Sequence, residues 1–109
     1  MLTGKAKEDF EKWYPTNVEF YKHAQLSGFA SHTPILFYAM PFSMQYGVYV
    51  DWFDEKLIHF YIEPLWLGRG SFRLWIYEGG LPMQHDIYPT RNEARQKAIE
   101  KANEIYNSK

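Results

Sequence analysis

Tyr46-Gly-Val-Tyr-Val-Asp-Trp-Phe53 alternates along its length, with Val48, Val50 and Trp52 on one parity and Tyr49, Asp51 and Phe53 on the other. A period of two in a run rich in β-branched and aromatic residues is the mark of a strand. Leu57-Ile-His-Phe-Tyr-Ile-Glu63 alternates in the same way, and the polar turn Asp54-Glu55-Lys56 lies between the two runs. An odd loop is needed if both apolar sets are to share a face, because a slip of one residue sends every side chain to the other side. The resulting register predicts Val50 opposite Phe60, Val48 opposite Ile62, Asp51 opposite His59 and Tyr49 opposite Tyr61.

A second hairpin follows. Ser71-Phe-Arg-Leu-Trp-Ile-Tyr-Glu78 runs into Gly79-Gly80 and returns as Leu81 to Tyr88. Two glycines suit a type I′ turn, which needs positive φ at both positions. That turn predicts Ile76 opposite Met83, Phe72 opposite Ile87, Arg73 opposite Asp86 and Trp75 opposite Gln84. The expected fold class is therefore α+β: a four-stranded antiparallel sheet spanning Gln45 to Tyr88, with N-terminal helix or helices and a C-terminal helix packed on one face. One face should hold Val48, Val50, Trp52, Ile58, Phe60, Ile62, Phe72, Leu74, Ile76, Met83 and Ile87. The other should hold Tyr49, Asp51, His59, Tyr61, Arg73, Trp75, Tyr77 and Asp86, and is aromatic and charged at once.

Length and composition bound the rest. At 109 residues, 1–109 is expected to be a single domain. A hydrophobic share of 46% supports a core, and an aromatic share of 19% leaves rings over for surfaces. The net charge of −1 argues against a general electrostatic grip on nucleic acid. Cysteine is absent, which removes disulfide and thiolate chemistry. No apolar run approaches the ~20 residues of a membrane span, and the start Met1-Leu-Thr-Gly-Lys-Ala-Lys-Glu-Asp turns acidic where a signal peptide would be apolar. A soluble cytoplasmic protein with no membrane contact is the expectation.

Residues Lys5 to Tyr14 predict a helix with a stripe of Ala6, Phe10, Trp13 and Tyr14, capped by Thr3 and ended by Pro15. Thr16-Asn-Val-Glu19 has capping-box spacing and could open a second short helix to Leu26. Ile35 to Met40, bounded by Pro34 and Pro41, could be an edge strand or an extended segment. Pro64 to Gly70 is a loop, and Trp66 within it is a lid over the core or part of an exposed patch. Thr90-Arg-Asn-Glu93 is a capping box that opens a helix to Asn107, with Ala94, Ala98, Ile99, Ala102, Ile105 and Tyr106 on one stripe and Glu93–Lys97 paired outside it. Arg91 and Arg95 in its first turns oppose the helix dipole. Either nearby carboxylates such as Glu93 offset them, or they form a small anion-facing patch.

Glu11-Lys-Trp-Tyr14, Met44-Gln-Tyr-Gly-Val-Tyr-Val-Asp-Trp-Phe-Asp54 and Thr90-Arg-Asn-Glu-Ala-Arg-Gln-Lys-Ala-Ile-Glu-Lys-Ala-Asn-Glu-Ile-Tyr-Asn107 together resemble a family of small uncharacterised phage and prophage proteins of gut bacteria. The resemblance implies an origin and a bacterial host cell, and no activity. The last segment and the helix–strands–helix order also resemble double-stranded RNA-binding domains. Those domains carry a lysine cluster where Pro89-Thr-Arg-Asn-Glu93 stands here, and the fourth expected strand is extra, which counts against RNA binding.

Asp51 beside His59 could orient an imidazole, but no nucleophile accompanies them and Ser71 is too far along its strand. His23, His32, His59 and His85 are scattered without metal-ligand spacing, and Gly68-Arg-Gly70 is too short for a phosphate loop. The expectation is a protein that is not an enzyme and has no cofactor or metal. The candidate binding residues are Tyr49, Asp51, His59, Tyr61, Arg73, Trp75 and Tyr77, a composition enriched at recognition surfaces. Two arrangements stand: Phe10, Trp13 and Tyr14 lie across this face as a second core, or the face is open. If open, its expected partner is a protein, from the host or a second copy of the chain, and the alternative is a nucleic acid.

Overall fold

The computed structural model describes residues 1–17, 37–65 and 70–109. Within them the chain runs as helix α1 (Gly4–Asn17), helix α2 (Phe42–Glu55), strands β1 (Ile58–Pro64), β2 (Phe72–Glu78) and β3 (Leu81–Tyr88), and helix α3 (Arg91–Asn107). The architecture is α+β. The strands form one antiparallel meander in the order β1-β2-β3, with β2 central. The expected second helix from Thr16 and the expected place of Trp66 lie outside the described residues.

The expected first strand is a helix, so the sheet has three strands among the described residues and not four. The physical reason lies upstream of the alternating window. Phe42, Tyr46, Tyr49, Trp52 and Phe53 recur at steps of four, three, three and one, which is a helical stripe. A helix buries Tyr49, Trp52 and Phe53 together, whereas a strand would send Trp52 away from the other two. Each fully buried aromatic contributes a few kcal/mol. That outweighs the total spread of β-propensity, about 1 kcal/mol. None of the expected pairs Val50–Phe60, Val48–Ile62, Asp51–His59 and Tyr49–Tyr61 forms as a strand ladder, and β1 pairs with β2 instead.

Helix α2 starts at Pro41, whose carbonyl accepts from the Met44 and Gln45 N–H groups at 3.0 and 3.1 Å. It ends with bonds from Lys56 to the Phe53 carbonyl and from Leu57 to the Asp54 carbonyl. Leu57 takes the left-handed φ of +62° that usually falls to glycine after a helix. The Leu57 carbonyl is then fixed by the Gly79 N–H at 3.2 Å, which joins this corner to the β2–β3 turn.

The core lies between the helices and one face of the sheet. Leu2, just before α1, and Ala6, Phe10 and Tyr14 on it meet Phe37, Tyr49, Trp52, Phe53, Ile58, Ile99 and Ala102. The Phe10 ring is central, with centroids 5.1, 5.0 and 5.5 Å from Phe37, Tyr49 and Trp52. Phe10 and Tyr14 are therefore buried against α2 and not laid across the aromatic face of the sheet. Among the described residues the Tyr49 hydroxyl and Trp52 Nε1 sit in this core without a hydrogen-bond partner. Residues 37–40 close a helical turn, with the Met40 N–H on the Phe37 carbonyl at 3.1 Å, so this end of the expected edge strand is not extended.

Helix α1 runs two residues past Pro15 to Asn17. The proline falls in the last turn, where its missing N–H removes one bond and does not break a ladder. At the other end the Thr3 carbonyl accepts from the Lys7 N–H at 3.3 Å, and α3 supplies side-chain acceptors. Asn103 Oδ1 accepts from the Thr3 N–H at 2.9 Å, and Asn107 Oδ1 accepts from the Ala6 N–H at 2.8 Å. The amide groups answer in return: Asn103 Nδ2 donates to Thr3 Oγ1 at 3.1 Å and Asn107 Nδ2 to the Thr3 carbonyl at 2.9 Å. Two residues one turn apart on α3 thus supply acceptors for the orphan donors at the start of α1.

Helix α3 covers the sheet as its alanine stripe predicts. Thr90 Oγ1 accepts from the Glu93 N–H at 3.1 Å, and Ala94, Ala98, Ile99 and Ala102 are buried. Ala98 packs on Leu74 and Ile76 of β2. Neither arginine at its start pairs with Glu93. The Arg91 guanidinium lies 4.9 Å from the Phe72 ring centroid and the Arg95 guanidinium 5.3 Å from that of Tyr46, so each cation is held on an aromatic face. Lys97 pairs with Glu100 at 3.2 Å and not with Glu93.

The Gly79-Gly80 turn is as expected, with φ values of +62° and +87°, and it pairs Glu78 with Leu81 and Tyr77 with Pro82. Beyond it the register slips. A bulge leaves Met83 unpaired, so Ile76 faces Gln84, Trp75 faces His85, Leu74 faces Asp86, Arg73 faces Ile87 and Phe72 faces Tyr88. The expected pairs Ile76–Met83, Trp75–Gln84, Arg73–Asp86 and Phe72–Ile87 are each off by one. The extra residue reverses the parity of the rest of β3. Tyr88 packs against the Leu74–Ile76–Ala98 cluster. Asp86 turns to the helix side and accepts a hydrogen bond from Lys101 of α3, while Ile87 goes to the outer face and is 54% exposed.

Candidate functional site

The sheet face turned away from the helices carries His59, Tyr61 and Glu63 from β1, Arg73, Trp75 and Tyr77 from β2, and His85 and Ile87 from β3. Cross-strand pairing sets them in rows: His59 beside Tyr77, Tyr61 beside Trp75 and His85, and Glu63 beside Arg73 and Ile87. Alternation fixes this arrangement, because Phe60, Ile62, Leu74 and Ile76 take the opposite, core side of the same strands.

Trp75 is the centre of the face. Its Nε1–H donates to Glu63 Oε1 at 3.0 Å, and the same oxygen accepts from Arg73 at 3.4 Å. The Arg73 guanidinium lies 5.7 Å from the Trp75 ring centroid on one side. Tyr77 stands nearly parallel at 6.4 Å and an interplanar angle of 26°, and His85 lies 4.6 Å away. The indole is therefore locked by a carboxylate and flanked by its neighbours. Tyr61, directly opposite, makes no ring contact among the described residues and is 56% exposed. At the lower edge, His59 Nδ1 lies 2.7 Å from Asp54 Oδ1, at the end of α2.

Of the seven expected binding residues, His59, Tyr61, Arg73, Trp75 and Tyr77 share this face. Tyr49 and Asp51 do not. Both belong to α2, where Tyr49 is buried against Phe10 and Phe37 and Asp51 points to solvent. Burial and the nearby Glu11 charge push the Tyr49 hydroxyl up, so it stays protonated at all ordinary pH. Asp54, one turn after Asp51, is the carboxylate that meets His59. Asp86, expected on the outer face, sits on the helix side through the bulge. Glu63, His85 and Ile87 were not among the expected residues. Glu63 was legible from the parity of β1, whereas His85 and Ile87 reach the face only through the bulge.

Among the described residues no group of three or more His, Asp or Glu side chains is placed to hold a metal ion, and no helix is long and apolar enough to cross a membrane. The outer face is built of rings and paired polar groups. It offers ring edges, phenol hydroxyls and one internally balanced ion pair on a rigid sheet. The chain matches no family model, no curated protein and no solved structure. Among the described residues, fold and face define a helix-backed, three-stranded α+β protein whose outer sheet surface is aromatic.

Proposed function

We propose that the chain is a non-enzymatic interaction module that binds a protein partner through the outer face of its sheet. The observation that carries this is the preorganised Trp75, held by Glu63 and braced by Arg73, Tyr77 and His85. Trp, Tyr and Arg dominate the energetics of protein interfaces. Side chains already fixed in the free state lose little entropy on binding. Single-stranded nucleic acid requires open ring faces and a cationic groove. Here the indole is flanked, Arg73 is matched by Glu63, and the net charge is −1. The resemblance to phage and prophage proteins favours a cytoplasmic protein of a bacterial host as the partner.

The test is a paired substitution, Tyr61→Ala with Trp75→Ala, in a chain whose circular dichroism is unchanged. A partner cross-linked by the parent chain and lost from the variant supports the reading, and equal capture by both removes it. Saturable binding of single-stranded DNA or RNA at low salt, abolished by the same pair, would put a nucleic acid in the protein's place.

A further inference from the structure

We infer that the free edge of β1 pairs with β1 of a second copy of the chain, antiparallel and across a two-fold axis at Tyr61, so that the two sheets become one. This goes beyond the reading above and does not rest on it, because it concerns the edge of the sheet and not its outer face.

Two backbone bonds fix which groups that edge presents. The Gly79 N–H donates to the Leu57 carbonyl at 3.2 Å and the Leu65 N–H to the Ser71 carbonyl at 2.8 Å, continuing the β1–β2 register at either end. Antiparallel ladders alternate, so Leu57, His59, Tyr61, Glu63 and Leu65 turn their N–H and C=O groups to β2. Ile58, Phe60 and Ile62 turn theirs away, and so does the Pro64 carbonyl. No hydrogen-bond partner meets these groups among the described residues. Such a row of unpaired donors and acceptors is a template for another strand.

The two edges of the sheet differ. β3 carries Pro82 and a bulge, both of which keep a strand from being extended. β1 has no bulge, no lysine and no proline before its last residue. On the core side, Leu74 and Ile76 of β2 are buried, whereas Phe60 and Ile62 of β1 are only half-buried. The apolar layer is left open along the β1 edge, and an added strand with apolar side chains on that side would close it.

The sequence of β1 fits its own copy. Full antiparallel overlap of Ile58–Pro64 puts Tyr61 on the axis, Phe60 opposite Ile62, His59 opposite Glu63 and Ile58 opposite Pro64. In this register the outward groups coincide. Phe60 and Ile62 exchange both N–H···O=C bonds on each side of the axis, their half-buried side chains cover each other, and the Ile58 N–H meets the Pro64 carbonyl. The missing N–H of proline falls at the last pair, where it removes one bond and interrupts no ladder. A register centred on Glu63 would set two carboxylates face to face, which is unfavourable. Registers centred on Phe60 or Ile62 leave two residues at one end of each strand unpaired. Closed two-fold pairing of this kind repeats each contact and leaves only the protected β3 edges outside.

The test is sedimentation equilibrium of the full chain from roughly 1 µM to 1 mM, joined to amide exchange followed by nuclear magnetic resonance. The mass should rise from 13.0 kDa to twice that value. The Phe60 and Ile62 amides should exchange more slowly as concentration rises, while those of Tyr61 and Glu63, already bonded to β2, should not change. Ile62→Pro removes an outward N–H and spares the β1–β2 ladder. It should weaken the dimer at least roughly tenfold more than Ile62→Ala, which shortens the side chain and keeps the N–H. Where Ile62→Pro alters the circular dichroism, Tyr61→Cys takes its place. The chain has no cysteine of its own, and residues facing each other in a non-hydrogen-bonded pair lie about 4.5 Å apart at Cα, within disulfide reach. On mild oxidation the Tyr61→Cys chain should link to its copy far faster than an Ile87→Cys chain, whose substitution is equally exposed but lies on β3. A mass of 13.0 kDa throughout overturns the inference. So does a dimer that Ile62→Pro and Ile62→Ala weaken equally, one whose Phe60 and Ile62 amides stay unprotected, or equal linking of the two cysteine chains. Each of these failures leaves the outer-face reading to its own test, the capture of a different protein.

Discussion

Residues 46–53 and 72–78 have nearly the same pattern and opposite fates. Each alternates, each carries a tryptophan, and each mixes aromatic with aliphatic side chains. The first is the body of α2 and the second is the central strand. The difference lies in the flanks. Phe72–Glu78 is closed by Gly70-Ser71 before and Gly79-Gly80 after, which caps its length at that of a strand. Tyr46–Phe53 has no such stops. Asp54, Glu55 and Lys56 are polar but compatible with a helix, and upstream the stripe continues to Phe42, just after Pro41. Over 14 residues the helical period accommodates every large ring, whereas alternation explains only the middle. A short window contains both periods, and its length and ends decide between them.

The largest effect that separates the two fates is expected at Phe53. On a strand it would share a face with Asp51, and its truncation would stay near the ±0.5 kcal/mol of a surface change. In α2 it is fully buried beside Trp52 and Phe60, so Phe53→Ala should cost about 3–5 kcal/mol in urea denaturation. Asp51→Ala should stay within the surface range. A small loss at Phe53 would break the helical assignment of this segment.

Second in size is the contact between the two ends of the chain. Asn103→Ala leaves the Thr3 N–H without its acceptor and Thr3 Oγ1 with only the longer bond from Asn107 Nδ2 at 3.5 Å. A loss of about 1–3 kcal/mol is expected, together with faster amide exchange in the first turn of α1. Exchange unchanged at Thr3 would mean that α1 is held by packing alone.

The extent to which the fold was legible follows from the same comparison. Where local stops and periodicity agreed, as at Thr90 to Asn107, Leu57 to Glu63 and the Gly79-Gly80 turn, the elements were readable, and Phe60, Tyr61 and Ala98 face as their parity implied. Asn103 was hidden because a polar residue inside an alanine stripe looks like surface until the start of α1 is brought against it. Five of the seven expected residues share the outer face because they lie on β1 and β2, whose alternation is unambiguous. Tyr49 and Asp51 fell with the helix, and His85 and Ile87 depend on a bulge that leaves no signature in the turn.

A smaller and opposite effect is expected at Leu57. Its left-handed φ of +62° disfavours a side chain by about 1–2 kcal/mol, while glycine loses about 0.5–1 kcal/mol of that advantage through backbone entropy. Leu57 is 61% exposed and gives up little packing. Leu57→Gly should therefore stabilise the chain by a few tenths to about 1 kcal/mol. Were Leu57 the first residue of a strand after a three-residue hairpin loop, glycine would weaken it, so the sign of the change tests the corner as a helix terminus.

The smallest effect reads the bulge. The Lys101 hydrogen bond, followed by its charge, holds the Asp86 carboxyl below its ordinary 3.8. A carboxyl lowered in the folded state contributes stability that is present above its unfolded value and lost as pH falls through the folded one. Asp86 is half exposed, so solvent screening keeps the contribution under about 1 kcal/mol. Asp86→Asn should be slightly less stable than the parent at neutral pH, and the gap should close on acidification below the ordinary carboxylate range. The partner that controls this gap distinguishes the two registers. With Met83 bulged out, Asp86 faces Lys101, so the gap should vanish in a Lys101→Met background and persist in Arg73→Met. In the unbulged register Arg73 would be the partner and the two backgrounds would exchange behaviour. That exchange would put Asp86 back on the outer face beside Arg73 and remove His85 from the side of Trp75.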